Sequence, residues 1–351
     1  MNIVLALLVF SFIVFIHELG HFIFAKLNKI EVIEFSIGMG PRILSFSYKN
    51  TKYSIKIFPI GGSCMMKGED DGTNIEKGSF ASASVLGRIS VVLAGPVFNF
   101  ILAAILSVIL TANIGYEKPV VYDVIEGYPA QEAGLMADDI ITAINGEHVV
   151  IYSDIHLILF NITDEKSVSV NYNRLKNGET VSGSIEFTPK FDEESGRFLI
   201  GIQGGNTFVK ASPLEVIKYG TYQVVFVIKS TIKTLGMMIG GQVSAGEIAG
   251  PVGIVNMVGE AVESSKPAGI FYVIMILINF SILLSANLGV MNLLPIPALD
   301  GGRLVFLFIE AIIRRPISRE KEGIVHTIGF ILLMLLTVFV LFNDIKKLLG
   351  F

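Results

Sequence analysis

The 351-residue chain is 52% hydrophobic and only 17% charged, with a net charge of −4 and a mean hydropathy of +0.65. Soluble domains carry about a quarter charged residues, so this composition excludes an ordinary soluble enzyme and a disordered chain. It also lacks the basic footprint of a nucleic-acid binder, and its single cysteine, Cys64, excludes an internal disulfide and any multi-cysteine metal site.

In chain order, the first apolar segment covers about residues 3–27, enough to cross a hydrocarbon core that needs roughly 20. It has no basic leading region and no small-x-small cleavage site, and it holds His17, Glu18 and His21. It therefore reads as a span rather than a cleaved signal peptide. Ile33–Ile37 and Tyr53–Ile57 alternate like strands, with turns at Gly38–Pro41 and Lys49–Thr51, which predicts a β-hairpin. A second span is predicted over about 90–111.

From about 120 to 205 the period becomes two. Val120–Ile125 and Ile140–Ile144 read as strands, the latter ended by Asn145-Gly146, a tight-turn pair. Ser153 or Asp154 is placed to cap a short helix through Phe160. Ser167–Asn173 and Glu179–Phe187 flank the hairpin signal Lys176-Asn177-Gly178. The sum is a small α+β domain of about 90 residues. Tyr128-Pro-Ala-Gln-Glu-Ala-Gly-Leu135, then Asp139-Ile-Ile141 and Ile144-Asn-Gly146, resemble a PDZ domain of the bacterial protease type, with Asp138 where that pattern usually has glycine. The resemblance implies that an extended peptide or C-terminus is received along a sheet edge; a spacer without ligand is the alternative. His148 and His156 read as surface or packing residues.

Residues 213–240 are apolar but interrupted by Lys218, Lys229 and Lys233. Each lysine costs about 2.5–3.5 kcal/mol at mid-membrane, so an amphipathic helix on the outer surface is expected instead of a fifth span. A third span, about 270–294, carries Asn279, Asn287 and Asn292, and a fourth covers about 324–343. Lys26, Lys29, Arg42, Lys49, Lys52, Lys56 and Arg88 lie between the first two spans, and Arg303, Arg314, Arg315, Arg319 and Lys321 between the last two. Both regions are then cytoplasmic, and the block at 112–205 and both termini lie outside.

The chemistry concentrates in His17-Glu18-Leu19-Gly20-His21. Positions i and i+4 lie about 40° apart on a helix, so both imidazoles can bind one zinc ion from the same face. Glu18 beside them is placed to act as general base. Ionisable groups inside an apolar helix are costly and usually functional. Catalytic zinc needs a third ligand. Asp300 stands among helix breakers in Leu294-Pro-Ile-Pro-Ala-Leu-Asp-Gly-Gly302, and Glu310 is its competitor.

Together, His17-Glu-Leu-Gly-His21, Gly95-Pro-Val-Phe-Asn99, Gly250-Pro-Val-Gly-Ile254 and Asn287 through Leu299-Asp300-Gly301 resemble the site-2 protease family of intramembrane zinc proteases, in its bacterial RseP/RasP-like branch with a PDZ domain. The resemblance runs in order over nearly the whole chain. It implies one zinc ion on His17, His21 and Asp300, Glu18 as catalytic base, and Asn287 and Asn292 as contacts to substrate backbone. It also implies a membrane-associated β-hairpin or sheet that pairs with an unwound substrate. The expected architecture is thus a polytopic α-helical protein of the bacterial cytoplasmic membrane with about four spans. Its regions are an N-terminal membrane part (1–111), an extracytoplasmic PDZ-like domain (112–205), a surface helix and linker (206–265) and a C-terminal membrane part (266–351). The expected activity is cleavage of single-span membrane proteins, such as anti-sigma factors already trimmed by another protease, and of signal-peptide remnants, from a site open toward the cytoplasm. The rivals are a membrane zincin that cuts soluble or prenylated chains and uses another third ligand, and a non-enzymatic scaffold.

Overall fold

The computed structural model describes residues 2–69, 76–160, 162, 166–193, 196–205, 208–241, 250–315 and 317–348. It divides into two units, Met1–Ser107 with Val227–Phe351, and Val108–Phe226.

In the first unit, α1 (Asn2–Leu27) leads into strands β1 (Val32–Tyr48) and β2 (Thr51–Met66), followed by α2 (Val85–Ile114). Helices α6 (Pro251–Ser265), α7 (Ile270–Leu293), α8 (Asp300–Ile313) and α9 (Arg319–Leu348) complete the order, with α5 (Pro213–Ile239) entering at Val227. Among the described residues four helices are long and apolar enough to cross a membrane: Ile3–Leu27, Val85–Ile114, Ile270–Leu293 and Glu322–Lys347. Helix is the form such runs must take in lipid, because every backbone N–H finds its carbonyl within the segment. The last helix carries the solvent argument furthest. Leu332, Leu335, Leu336, Phe339 and Phe342 are all more than half exposed, an arrangement that is unfavourable in water and ordinary against acyl chains.

The predicted hairpin is longer and more folded on itself than its pattern implied. Lys49 and Asn50 turn at its tip with φ of 44° and 62°. Gly38 and Gly40, at φ 84° and 87°, bend β1, so that its first half meets two stretches of β2. Phe35 pairs with both Cys64 and Tyr53, and Ile37 with both Gly62 and Ile55. Arg42–Tyr48 then covers Thr51–Lys56 from the other side. The order across the sheet is Gly62–Met66, Val32–Ile37, Thr51–Lys56, Arg42–Tyr48. Phe35, Cys64 and Met66 pack on Ala25, Val91, Val92, Leu304 and Leu307, which fixes the sheet against α1, α2 and α8. Ile43, Leu44, Phe46 and Tyr48 point away from that core and stay more than half exposed.

Two helices replace expected irregular chain. The stretch read as linker after α5 contains α6, whose Val258 and Val262 bury against Ala6 of α1 and Val273 of α7. Asp344 of α9 accepts the Gly250 and Gly253 N–H groups at its start, at 3.0 and 2.9 Å, satisfying orphan donors of the first turn. The linker residues 242–249 lie outside the described residues. The segment after the Pro-rich break is α8, and Asp300 is its first residue.

The second unit holds a four-stranded antiparallel sheet, order β6 (Glu147–His148), β5 (Ile140–Ile144), β7 (Val168–Lys176), β8 (Glu179–Phe187). Short pairs flank it: β3 (Tyr116–Glu117) with β12 (Phe208–Val209), β4 (Val121–Val124) with β11 (Ile202–Gly204), and β9 (Lys190–Asp192) with β10 (Arg197–Leu199). Asn177 and Gly178 both take positive φ between β7 and β8, as do Asn145 and Gly146 between β5 and β6, the geometry that a two-residue hairpin requires. Asp138 stands at φ 69°, in the left-handed region where glycine is free of strain. Helices α3 (Pro129–Glu132) and α4 (Tyr152–Leu159) close the core of Val121, Leu135, Ile141, Ile144, Ile155, Val168 and Val170. The cap of α4 differs from expectation. Ile151 is the N-cap, and Asp154 at the third helical position accepts the Val150 and Ile151 N–H groups. A carboxylate reaching back from the first turn does the work assigned to a capping side chain. Between α4 and the β10–β11 segment runs a groove of about 450 Å³ lined by Ile125, Ile155, Leu159, Phe198, Ile200 and Ile202.

Candidate metal centre

The site is assembled from three helices of the first unit. His17 and His21 project from one face of α1 and are both buried. Room for the two rings comes from Gly95 on α2, where a Cβ would stand 2.4 Å from His21 Nε2 and 2.7 Å from His17 Cε1. Gly20 allows the same approach from the other side, since a Cβ there would meet Ala94 O at 2.4 Å. Pro96 interrupts the α2 ladder, and one turn earlier the carbonyl of Val91 takes the Nδ1–H of His21 at 2.9 Å. That bond places the His21 lone pair on Nε2.

Asp300 reaches the pair from the start of α8. The chain leaves α7 at Leu293, passes Pro295 and Pro297, and turns at Ala298, whose φ of 76° is strained for a residue with a Cβ. His326 on α9 accepts the Ala298 N–H at 2.9 Å. Gly301 and Gly302 are demanded by closeness, because a Cβ would lie 2.1 Å from Leu294 O and 2.4 Å from Ile296 O respectively.

The result is a triangle of donor atoms. His17 Nε2 and His21 Nε2 are 3.1 Å apart, and Asp300 Oδ2 lies 3.1 Å from the first and 3.4 Å from the second. Zinc–ligand bonds of about 2.0–2.2 Å put tetrahedral ligands roughly 3.3–3.6 Å from one another. The observed edges come within about 0.2 Å of one face of such a tetrahedron, and two histidines with one carboxylate form a donor set suited to catalytic zinc. The Asp300 side chain keeps 22% of its surface exposed, so the centre is not sealed. Among the described residues, this is the cluster of three metal-capable side chains.

Glu18 is next to the triangle and outside it. It packs along the β2 edge, where a Cβ on Gly62 would meet its Cγ at 3.1 Å, and the Cys64 backbone hydrogen-bonds it. Glu310, the competing third ligand, is engaged elsewhere: Arg88 donates to both its carboxylate oxygens, at 3.0 and 2.6 Å. Asn287 receives the Thr231 hydroxyl of α5 on its Oδ1, and Asn292 lies half-buried in the last turns of α7. Sequence reasoning missed Asn99. It is fully buried, with its amide nitrogen 3.2 Å from His17 Nδ1. Its only sequence signal was membership of the Gly95–Asn99 string.

The comparisons agree with this chemistry. A family model described as Peptidase family M50 matches residues 5–336. A protein of Clostridium acetobutylicum is 41% identical over 346 residues, covering 98% of this chain and 97% of its own. Zinc metalloprotease RasP of Bacillus licheniformis is 34% identical over 431 positions, covering 99% of this chain and all of its own. Regulator of sigma-W protease RasP of Bacillus subtilis is 31% identical over 425 positions, covering 97% of each chain.

Proposed function

The chain belongs to Peptidase family M50, the site-2 protease family, and from that premise we propose that it is an intramembrane zinc endopeptidase that cleaves membrane-spanning segments of other proteins. The observation that carries the reading is the convergence at 3.1–3.4 Å of His17 and His21, inside a helix long enough to span a bilayer, with Asp300 at the start of α8. In this reading these three residues hold the metal. When bound, zinc supplies Lewis acidity toward the attacking water and the scissile carbonyl.

Glu18 is the general base. It takes a proton from the water that attacks the scissile carbonyl and returns it to the departing amine, so one carboxylate serves both halves of the hydrolysis. A helical substrate hides its carbonyls in i→i−4 bonds and must unwind first. The Gly62–Met66 edge, which runs past Glu18, is suited to receive an extended segment by strand addition. Asn287 and Asn292 are assigned to the substrate's freed peptide groups, which lipid does not satisfy. Thr231 then gives up its bond to Asn287 when substrate arrives.

Residues 112–205 are assigned to a PDZ-like domain outside the cytoplasmic membrane, with the active site opening toward the cytoplasm. Its groove beside α4 either receives a peptide or obstructs untrimmed substrates. Single-span proteins shortened by another protease, among them anti-sigma factors, and signal-peptide remnants are the substrate class; a Bacillus subtilis relative named as a regulator of sigma-W supports it.

The test is purified full-length protein with a single-span substrate, assayed alongside metal analysis. Glu18→Gln is expected to keep zinc and lose cleavage, and Asp300→Asn to lose both. Full zinc content in Asp300→Asn overturns the ligand assignment.

A further inference from the structure

The two imidazoles of the centre have different partners behind them. His21 Nδ1 is fixed by a backbone carbonyl, which only accepts. His17 Nδ1 faces the side-chain amide of Asn99, which either donates or accepts according to which way it is turned. Oxygen and nitrogen of an amide are assigned from the hydrogen-bond network around them. With Nδ2 toward the ring, at 3.2 Å, the bond demands a lone pair on His17 Nδ1 and sends the ring proton to Nε2. That proton would occupy the space shared by the three ligand atoms. The same orientation leaves Asn99 Oδ1 buried with no hydrogen-bond partner among the described residues. Turning the amide by 180° brings Oδ1 to the ring nitrogen and gives that idle acceptor a donor.

We propose that Asn99 is a positioning residue for the metal centre, its side-chain carbonyl accepting the His17 Nδ1–H and so holding the tautomer whose Nε2 is free to bind metal. The proposal rests on the assignment of His17 as a ligand. Three further observations hold the amide in place. Asn99 is fully buried. The Ser285 hydroxyl of α7 donates to its backbone carbonyl at 2.8 Å, tying this turn of α2 to α7. Gly95, one turn away on the same helix, lies against both rings. Thus α2 supplies the space for the imidazoles and also an acceptor behind each one. Partners of this kind fix a ligand's tautomer and orientation, and their loss typically weakens metal binding by about 10–100-fold.

The experiment measures zinc affinity of the full-length protein in detergent, by competition with a chromophoric chelator, together with the visible spectrum of the cobalt-substituted form. Asn99→Ala is expected to weaken zinc by about 10–100-fold and to change the cobalt spectrum. Asn99→Asp presents an acceptor in the same place and is expected to hold zinc within about threefold of the parent or tighter, with an unaltered spectrum. If Asn99→Asp weakens zinc as much as Asn99→Ala, donation from the amide is what matters and the proposal is wrong. Parent-like affinity in Asn99→Ala also overturns it. Should Asn99→Ala fail to fold, the comparison of Asn99→Asp with the parent decides alone. Asp300→Asn separates the two levels of the argument: undiminished affinity there means that the ligand assignment itself is wrong, whatever Asn99 does.

Discussion

At the scale of single residues, the centre depends on where side chains are missing as much as on where they are present. Gly95 is the sharpest case. A methyl group there would stand 2.4 Å from His21 Nε2, closer than any real contact, and neither a buried imidazole nor the α2 backbone has space to retreat in a packed interior. Gly95→Ala is therefore expected to abolish stoichiometric zinc binding while Glu18→Gln leaves it intact, as metal analysis of the two purified variants will show. Equal zinc content in both would mean that the rings do not hold the position described. In the second unit, Asp139 is fully buried and receives Arg174 Nε and Nη2, both at 2.6 Å. Removing one partner of such a pair leaves an uncompensated buried charge, at a cost of about 3–5 kcal/mol. Arg174→Met is expected to lower the thermal midpoint of the second unit by roughly 10 °C or more, and a midpoint within a degree of the parent would show that the pair is not isolated from solvent.

At the scale of elements, the sheet and the helix ends carry their own tests. Glu34 is buried in β1, and the Arg42 guanidinium, bonded at 2.8 and 2.9 Å, with Ser54 at 2.6 Å, holds its carboxyl at about 2. A depressed carboxylate stabilises the fold fully above its unfolded value of about 4.3 and progressively less as pH falls toward the folded value. The sheet is thus expected to loosen between about pH 4.5 and 2. Glu34→Gln should flatten that part of the dependence, read as thermal midpoint against pH for the two proteins; parallel curves would remove Glu34 as the cause. Asp344 gives α6 its start, and Asp344→Ala removes a carboxylate from a helix N-terminus, worth about 1–2 kcal/mol. Faster hydrogen exchange confined to residues 251–265 is expected, and unchanged exchange would mean that the apolar contacts of Val258 and Val262 hold the helix alone. These elements also show what was legible in advance. His17 and His21 were readable because their spacing is local to one helix, and the Asn-Gly turns because their φ demands are written in the dipeptide. Asp300 was marked by its prolines and glycines but left in competition with Glu310, because only the fold brings Arg88 to Glu310 across 222 residues of sequence. Helix α6 escaped notice because Gly253, Asn256 and Gly259 blur its period. Asn99 escaped because its role depends on which ring lies opposite, and no pattern within α2 records that.

At the scale of the whole molecule, the question is which side of the bilayer each part faces, since that decides from where a substrate is cut. Lysine and arginine are retained on the cytoplasmic side of short loops, and here they gather between the first two spans and between the last two. The sheet of β1 and β2 sits in the first of these regions. His17 lies in the half of α1 that adjoins the first of these regions, ten residues before its end, and Asp300 lies seven residues beyond the end of α7 that adjoins the second. The orientation proposed above from this charge asymmetry puts His17 and Asp300 toward the cytoplasmic face and residues 112–205 outside. Cys64 makes the arrangement measurable, because it is the sole thiol and is buried. In a Cys64→Ala background, a cysteine replacing exposed Ser182 of β8 is expected to react with a membrane-impermeant maleimide in intact cells. A cysteine replacing exposed Ser45 of β1 is expected to react only after the membrane is permeabilised. The opposite pattern would invert the protein and with it the leaflet from which water reaches the centre. Labelling of both in intact cells would mean that the chain between the first two spans does not stay inside, and the parity of the spans would have to change to fit it.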